Sequence, residues 1–161
     1  MYRRVIPFAF AVVAIVSMSL ISVSAHNTPG SSAGAAAQSA QKCADKEFLT
    51  TLGTDLSDLG ASFKEAKMDD MISIAQTMLK VTSARQKWED LENVPAECVT
   101  TQLAAIIAFA NGNDLLALGL AVKADPKNAA EYLKAVAGQT ERFTKAITNV
   151  LIEAGIATPA P

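Results

Sequence analysis

The most reactive side chains in the sequence are two thiols, Cys43 and Cys98, which lie 55 positions apart. That separation excludes a CxxC redox pair and a zinc knuckle, because both motifs place their cysteines a few residues apart. Two cysteines in an exported chain most simply form one disulfide. We therefore predict a Cys43–Cys98 disulfide, worth about 4 kcal/mol in the chain-entropy model. A redox role would instead need an exposed, readily reducible bond.

Histidine chemistry has almost no place in this chain, because His26 is the only histidine. Ser-His-Asp and Cys-His arrangements are therefore excluded within a folded domain, and so are the Glu-x-x-His helices of di-iron bundles. Cleavage after Ala25 would make His26 the mature N-terminus. A single terminal imidazole is too generic a ligand to define a metal site, so we predict none at His26.

Carboxylate pairs are the remaining candidates for acid–base chemistry. Asp69 with Asp70 and Glu89 with Asp90 are adjacent in sequence, so on a helix their side chains point in different directions. Neither pair can flank one bond as the carboxylates of a glycosidase do. The sequence also lacks a P-loop, a dinucleotide-binding glycine motif and an EF-hand loop. We therefore predict a protein that is not an enzyme and needs no cofactor.

The first 25 residues have the order of a secretory signal peptide. Arg3 and Arg4 precede an uncharged apolar run from Val5 to Leu20, and Val23-Ser24-Ala25 offers small residues at the cleavage site. The alternative is an uncleaved membrane anchor, since the uncharged stretch from residue 5 to residue 25 is just long enough to span a bilayer. Either way, the sequence predicts an extracytoplasmic protein, secreted or periplasmic.

The charge of the mature chain argues against two kinds of partner. A chain cleaved after Ala25 keeps 12 basic and 16 acidic side chains, a net charge of −4. No cluster of more than two adjacent basic residues occurs, so the sequence lacks the basic patch that nucleic-acid binding requires. Membrane contact is expected only if the N-terminal segment remains uncleaved.

Residues 26–41 consist mainly of Gly, Ser, Ala and Gln, a composition typical of a flexible linker. From residue 42 to residue 155, four apolar stripes recur at the three-and-four spacing of amphipathic helices. Residues 156–161 are predicted to form a disordered tail. The four predicted stripes are Leu49, Leu52, Leu56, Leu59, Phe63 and Ala66; Met71, Ile74, Ala75, Met78, Leu79, Thr82, Arg85, Trp88 and Leu91; Val99, Leu103, Ile106, Ile107, Ala110, Leu115, Leu118 and Val122; and Ala129, Leu133, Val136, Ala137, Thr140, Phe143, Ile147, Val150 or Leu151, and Ala154.

Capping residues predict where the helices begin and end. Asp69 and Asp70 suit the start of the second helix, and Pro95 suits its termination and the first turn of the third. Asp125 followed by Pro126 predicts the start of the fourth helix, and Gly155 its end.

The third stripe contains a turn signal, Asn111-Gly112, which leaves two interpretations open. One is a single continuous helix, and the other is two short helices meeting there. We favour the single helix, because the apolar spacing stays in phase on both sides.

Four helices joined by short turns predict an all-α, antiparallel, up-down-up-down four-helix bundle. In that order the predicted disulfide joins the starts of the first and third helices. Trp88, two turns before Pro95, would then fill the core beneath it. The stretch from Trp88 to Cys98 therefore reads as a structural corner of the bundle. Gly53 and Gly60, beside the first stripe, predict close approach of a neighbouring helix.

These features favour an exported interaction module that binds another protein or an envelope component. The alternative is a binder of a small apolar ligand or haem, in a gap left by small residues on the facing stripes. Its candidate pocket residues are Trp88, Phe63, Met71, Met78 and Phe143. The expected architecture resembles that of four-helix-bundle cytochromes. However, the fourth helix has no histidine and no CxxCH haem attachment is present. Met71 and Met78 are better explained as core filler than as soft-metal ligands.

Overall fold

The computed structural model of the chain describes residues 42–158. This range is mainly helical and contains no strand. The predicted signal peptide, the predicted linker and the last three residues of the predicted tail lie outside this range. Four helices pack against one another, and a single 3₁₀ turn precedes the third. Their bounds are α1 Lys46–Glu65, α2 Met71–Glu89, the 3₁₀ turn Ala96–Cys98, α3 Val99–Ala124 and α4 Ala129–Glu153.

Carboxylates cap the first two helices. Asp45 Oδ1 accepts a hydrogen bond from the amide of Phe48 at 2.7 Å, and Asp70 Oδ1 accepts one from the amide of Ile72 at 2.9 Å. Each bond satisfies an amide that has no partner within the helix. The cap at Asp70 confirms the predicted start of the second helix.

The second helix ends earlier than predicted. It stops at Glu89, where the amide of Asp90 donates to Gln86 O at 2.8 Å, so the interval before Pro95 is not helical. Asn93 adopts a left-handed conformation with φ of 58° within this interval. Asparagine tolerates that conformation better than most residues, and it reverses the chain before Pro95. Pro95 then precedes the 3₁₀ turn that leads into α3.

The third helix is continuous through Asn111 and Gly112, as favoured above. The fourth helix begins three residues later than predicted. Asp125 caps the end of α3 with its amide bonded to Ala121 O, and Pro126 lies in the turn that follows. The helix starts at Ala129 after Asn128, whose amide bonds to Asp125 O.

Gly155 ends the fourth helix in the predicted manner, with φ of +73°. The left-handed residue lets the amide of Ile156 reach back to Leu151 O at 2.8 Å. Gly155 also packs against Lys42, because a Cβ built on it would lie 3.1 Å from Lys42 Cδ. The end of α4 therefore meets the chain just before Cys43.

The core is built from one face of each helix. The predicted residues Leu52, Leu56 and Leu59 of α1 are buried, and so are Phe143, Ile147 and Val150 of α4. The predicted stripe of α2 was too wide. Its buried positions follow one line along the helix, at steps of three, four and seven residues, whereas Met71 and Leu79 face solvent. The buried residues of α2 are Ile74, Thr77, Val81 and Trp88.

The predicted stripe of α3 was wrong in its rotation. Val99, Leu103 and Ile107 were expected in the core but are 49%, 57% and 47% exposed. The buried side of α3 is formed mainly by small residues, with two large side chains between them. Its members are Thr101, Ala105, Ala108, Phe109, Gly112 and Leu116. Since α3 is apolar on nearly every side, its sequence does not reveal which side faces inward.

Ring packing accounts for the inward rotation of the small residues. A Cβ at Gly112 would lie 3.3 Å from Phe143 Cε2 and 3.5 Å from the ring of Phe63. The two rings are themselves stacked, with centroids 5.2 Å apart. The predicted close approach at Gly53 was wrong, because nothing lies within 4 Å of a Cβ built there. Close packing occurs at Gly112 instead.

Alanine substitutions at these two glycines should separate helix propensity from packing. We expect Gly53→Ala to raise the free energy of unfolding by up to about 1 kcal/mol, since alanine is the better helix former and the site is open. Gly112→Ala has the same propensity gain but pushes on two stacked rings. We expect it to be less stable than Gly53→Ala by at least about 1 kcal/mol. Urea unfolding measures both, and equal gains would contradict the packing of Gly112.

Candidate functional site

The two cysteines form a disulfide that joins the chain before α1 to the start of α3. The Cα atoms of Cys43 and Cys98 are 4.4 Å apart, and both residues are buried. Because Cys43 precedes the first helix, the chain can swing toward α3 before Asp45 begins the helix. A buried disulfide is typical of proteins that fold in an oxidising compartment.

Trp88 fills the core near this bond and is only 1% exposed. Its ring meets the ring of Phe48 edge to face, with centroids 5.1 Å apart. Its indole N–H donates to Asp55 Oδ2 at 2.8 Å, so the buried polar atom is satisfied. Lys87 Nζ lies 2.8 Å from the same oxygen. One carboxylate of α1 therefore receives two donors from the last turn of α2.

The backbone at Trp88 is also tied to the third helix. Gln102 Nε2 donates to Trp88 O at 2.7 Å. That carbonyl lies in the last turn of α2, where helix carbonyls lack partners within the helix. Trp88 thus links α1 through its ring nitrogen and α3 through its carbonyl. Trp88 and Cys98, at the two ends of the predicted corner, are buried, whereas residues 89–93 between them are exposed.

The five residues predicted to line a ligand pocket do not lie together in one site. Trp88 packs on Phe48, whereas Phe63 and Phe143 stack on each other across Gly112. Met78 is half-buried at the edge of the core. Met71 is 49% exposed, so it is not the core filler that we expected.

A surface groove of about 690 Å³ lies between α1 and α2. Its walls carry Asp58 and Glu65 on α1, and Leu79 and Lys80 on α2, with the buried Phe109 also in the lining. None of the five predicted pocket residues lines it. The groove arises because α1 packs less closely on α2 than the other consecutive helices pack on each other.

The feature that most resembles a recognition surface is the side of α3 that points away from the core. We call it the outer face of α3. Leu103 is its most exposed large residue, at 57%. Asp114 is the only charged residue from position 99 to position 122. The other residues of the outer face are Val99, Ile107, Ala110 and Ala117.

The apolar character of α3 also passes the length and composition test for a membrane span. The helical segment Ala96–Ala124 has a window with a mean hydropathy of 1.6, of which 28% is buried. In the structure this segment packs against α2 and α4 and holds hydrogen bonds to both. Gln102 reaches α2, and Gln139 Nε2 of α4 donates to Asn111 Oδ1 at 3.1 Å.

Metal-ligating side chains do not cluster within residues 42–158. No three His, Cys, Asp or Glu side chains in this range lie close enough to hold a metal ion. Both cysteines of the chain are in the disulfide. The Asp55 carboxylate has defined partners: it accepts hydrogen bonds from the indole N–H of Trp88 and from the ammonium group of Lys87.

One buried hydroxyl stands out beside the disulfide. Thr101 is completely buried, and its Oγ1 has no hydrogen-bond partner among residues 42–158. By contrast, the buried Thr77 donates its hydroxyl to Ser73 O at 2.9 Å. A buried hydroxyl without a partner lowers stability relative to an apolar side chain of the same shape.

Removing the carboxylate of Asp55 should weaken the corner. We expect Asp55→Ala to lower the free energy of unfolding by about 2 kcal/mol, because the indole N–H of Trp88 would be left buried without a partner. Lys87→Met is the matched control. It removes a half-exposed ion pair and should cost less than about 1 kcal/mol. Urea unfolding followed by Trp88 fluorescence measures both, and equal costs would show that the ion pair, not the indole bond, matters.

Replacing threonine by valine at two buried positions tests the unpaired hydroxyl. Thr101→Val should raise the free energy of unfolding by about 1 kcal/mol, since it removes a polar atom that has no partner. Thr77→Val removes a hydroxyl that is bonded and should be neutral or destabilising. The difference between the two variants in thermal or urea unfolding is the test. A Thr101→Val variant no more stable than Thr77→Val would contradict it.

Comparison with known proteins leaves the interpretation to this geometry. No family model, no curated protein and no solved structure matches the chain.

Proposed function

We propose that the protein is an exported, non-enzymatic interaction module that binds another protein or an envelope component through the outer face of α3. The observation that carries this proposal is the exposure of Val99, Leu103 and Ile107 on an otherwise folded helix. Large aliphatic side chains grouped along one face are unfavourable in water, and such patches commonly mark contact sites. The same side chains could have been used in the core, where small residues are found instead.

The up-down-up-down order belongs to this proposal and is supported by contacts between helices. Trp88, at the end of α2, contacts Phe48, near the start of α1, and receives a hydrogen bond from Gln102, near the start of α3. Thr82, earlier in α2, accepts a hydrogen bond from Asn113, later in α3. These contacts support an antiparallel arrangement of α2 with α1 and of α2 with α3. The short connection from Asp125 to Asn128 favours the same relation between α3 and α4.

Export is the second part of the proposal and is supported by the N-terminal sequence pattern and the disulfide. A signal peptide directs the chain to a compartment in which Cys43 and Cys98 can be oxidised. We expect the exported protein to begin at His26, which the mass of the intact protein determines. A cytoplasmic chain that keeps both free thiols would contradict this part.

Site-specific photocrosslinking in cells that export the chain tests the interaction. A photoreactive amino acid at Leu103 should give an adduct, because this position lies at the centre of the exposed stripe. The matched control is Lys134, an exposed position of α4. An adduct at position 103 that is absent at position 134 supports the proposal. No adduct at 103, or equal adducts at both positions, would contradict it.

A further inference from the structure

We infer that Met68 is a modification site, at which a peroxide converts the thioether to a sulfoxide and thereby releases the turn between α1 and α2 from α3. Met68 combines two properties: its side chain is open to an oxidant, and its methyl group packs on another helix. The site does not depend on the proposed function of the outer face of α3.

The methionines are the sulfur-containing residues that remain open to oxidation. Thiolates react with peroxides readily, but both cysteines are held in the buried disulfide. Of the five methionines, Met1 and Met18 precede the predicted cleavage site, which leaves three in the mature chain. Met68 and Met71 are 38% and 49% exposed, whereas Met78 is half-buried against the core. Because oxidation follows exposure, a peroxide should reach the first two before Met78.

The chemistry at the thioether is a two-electron oxidation of sulfur by hydrogen peroxide. A sulfur lone pair attacks one peroxide oxygen, so that the S–O bond forms as the O–O bond breaks. The second oxygen takes up both peroxide hydrogens and leaves as water. The product is a polar sulfoxide in place of an apolar, flexible thioether. Two thiols reverse the step, because they become a disulfide while the sulfoxide oxygen leaves as water.

Met68 holds the turn between α1 and α2 against the third helix. Residues 67–71 are all exposed, and the turn is closed by a hydrogen bond from the amide of Asp70 to Lys67 O at 2.9 Å. The methyl group of Met68 lies over Gly119 of α3, where a Cβ would be only 3.1 Å from Met68 Cε. Since glycine has no side chain, the methyl group fills a notch in the surface of α3.

A sulfoxide at position 68 would weaken this contact. The added oxygen is bonded to the same sulfur that carries the packed methyl group, and a polar S–O group favours water over a notch lined by Gly119 and the Ile74 side chain. Losing the burial of one methyl group corresponds to roughly fourfold in an equilibrium constant. Met71 is the more exposed methionine and begins α2, so we expect its oxidation to leave stability unchanged.

Hydrogen peroxide titration of the exported protein tests the site. Peptide mass spectrometry locates each added oxygen, and urea unfolding measures the stability of the same samples. Met68 and Met71 should gain oxygen before Met78. The equilibrium constant for unfolding should then be roughly fourfold larger than that of the untreated protein. Treatment with methionine sulfoxide reductases should restore the untreated value.

Two matched variants separate the effects of the two exposed methionines, since leucine does not take up oxygen from peroxide. Met71→Leu should keep the full loss of stability on treatment, whereas Met68→Leu should abolish it. Gly119→Ala tests the contact itself, because the added Cβ displaces the methyl group of Met68. Oxidation of this variant should cost less stability although Met68 still gains oxygen. Each variant is compared with its own untreated form, so that differences in helix propensity cancel.

Circular dichroism before treatment confirms that each variant is folded. Three results would overturn the inference: a Met68 that is protected for as long as Met78, an oxidised protein as stable as the untreated one, or a loss of stability that persists in Met68→Leu. A full loss of stability on oxidation of Gly119→Ala would show that the methyl contact with α3 is not the cause, and would overturn it as well.

Discussion

Aromatic rings in the core set how α3 is rotated, and the rotation of α3 determines what the protein presents to its surroundings. The stacked rings of Phe63 and Phe143 lie against Gly112, where even a methyl group would be crowded. A side chain at position 112 would press on both rings, so α3 turns Gly112 toward them. Val99, Leu103 and Ile107, on the opposite side of the helix, remain at the surface.

Contacts near the disulfide hold the start of α3 in this rotation about its axis. Cys98 is bonded to Cys43, and Gln102, one turn later, is bonded to the carbonyl of Trp88. The Trp88 ring is held in turn by Phe48 and Asp55 of α1. These links join three helices within a few residues. A rotation of α3 that buried Leu103 would break the bond from Gln102 and move Cys98 away from Cys43.

Local signals in the sequence predicted much of the fold, and the ambiguous stripes account for what was missed. The cap at Asp70, the helix end at Gly155, the continuity of α3 and the buried line of α4 could all be predicted from residue types and spacing. The rotation of α3 could not, because a helix that is apolar on nearly every side has no periodic signal to read. The outer face was missed for the same reason, since its leucine and isoleucine residues were assigned to the core.

In this structure α3 keeps its small side inward and its exposed aliphatic residues outward. The most direct measurement compares Leu103→Gln with Leu116→Gln in urea unfolding. Leu116 is fully buried, so its substitution should cost more than about 3 kcal/mol, whereas Leu103→Gln should cost less than about 1 kcal/mol. Similar large costs at both positions would show that Leu103 is a core residue and would contradict the account.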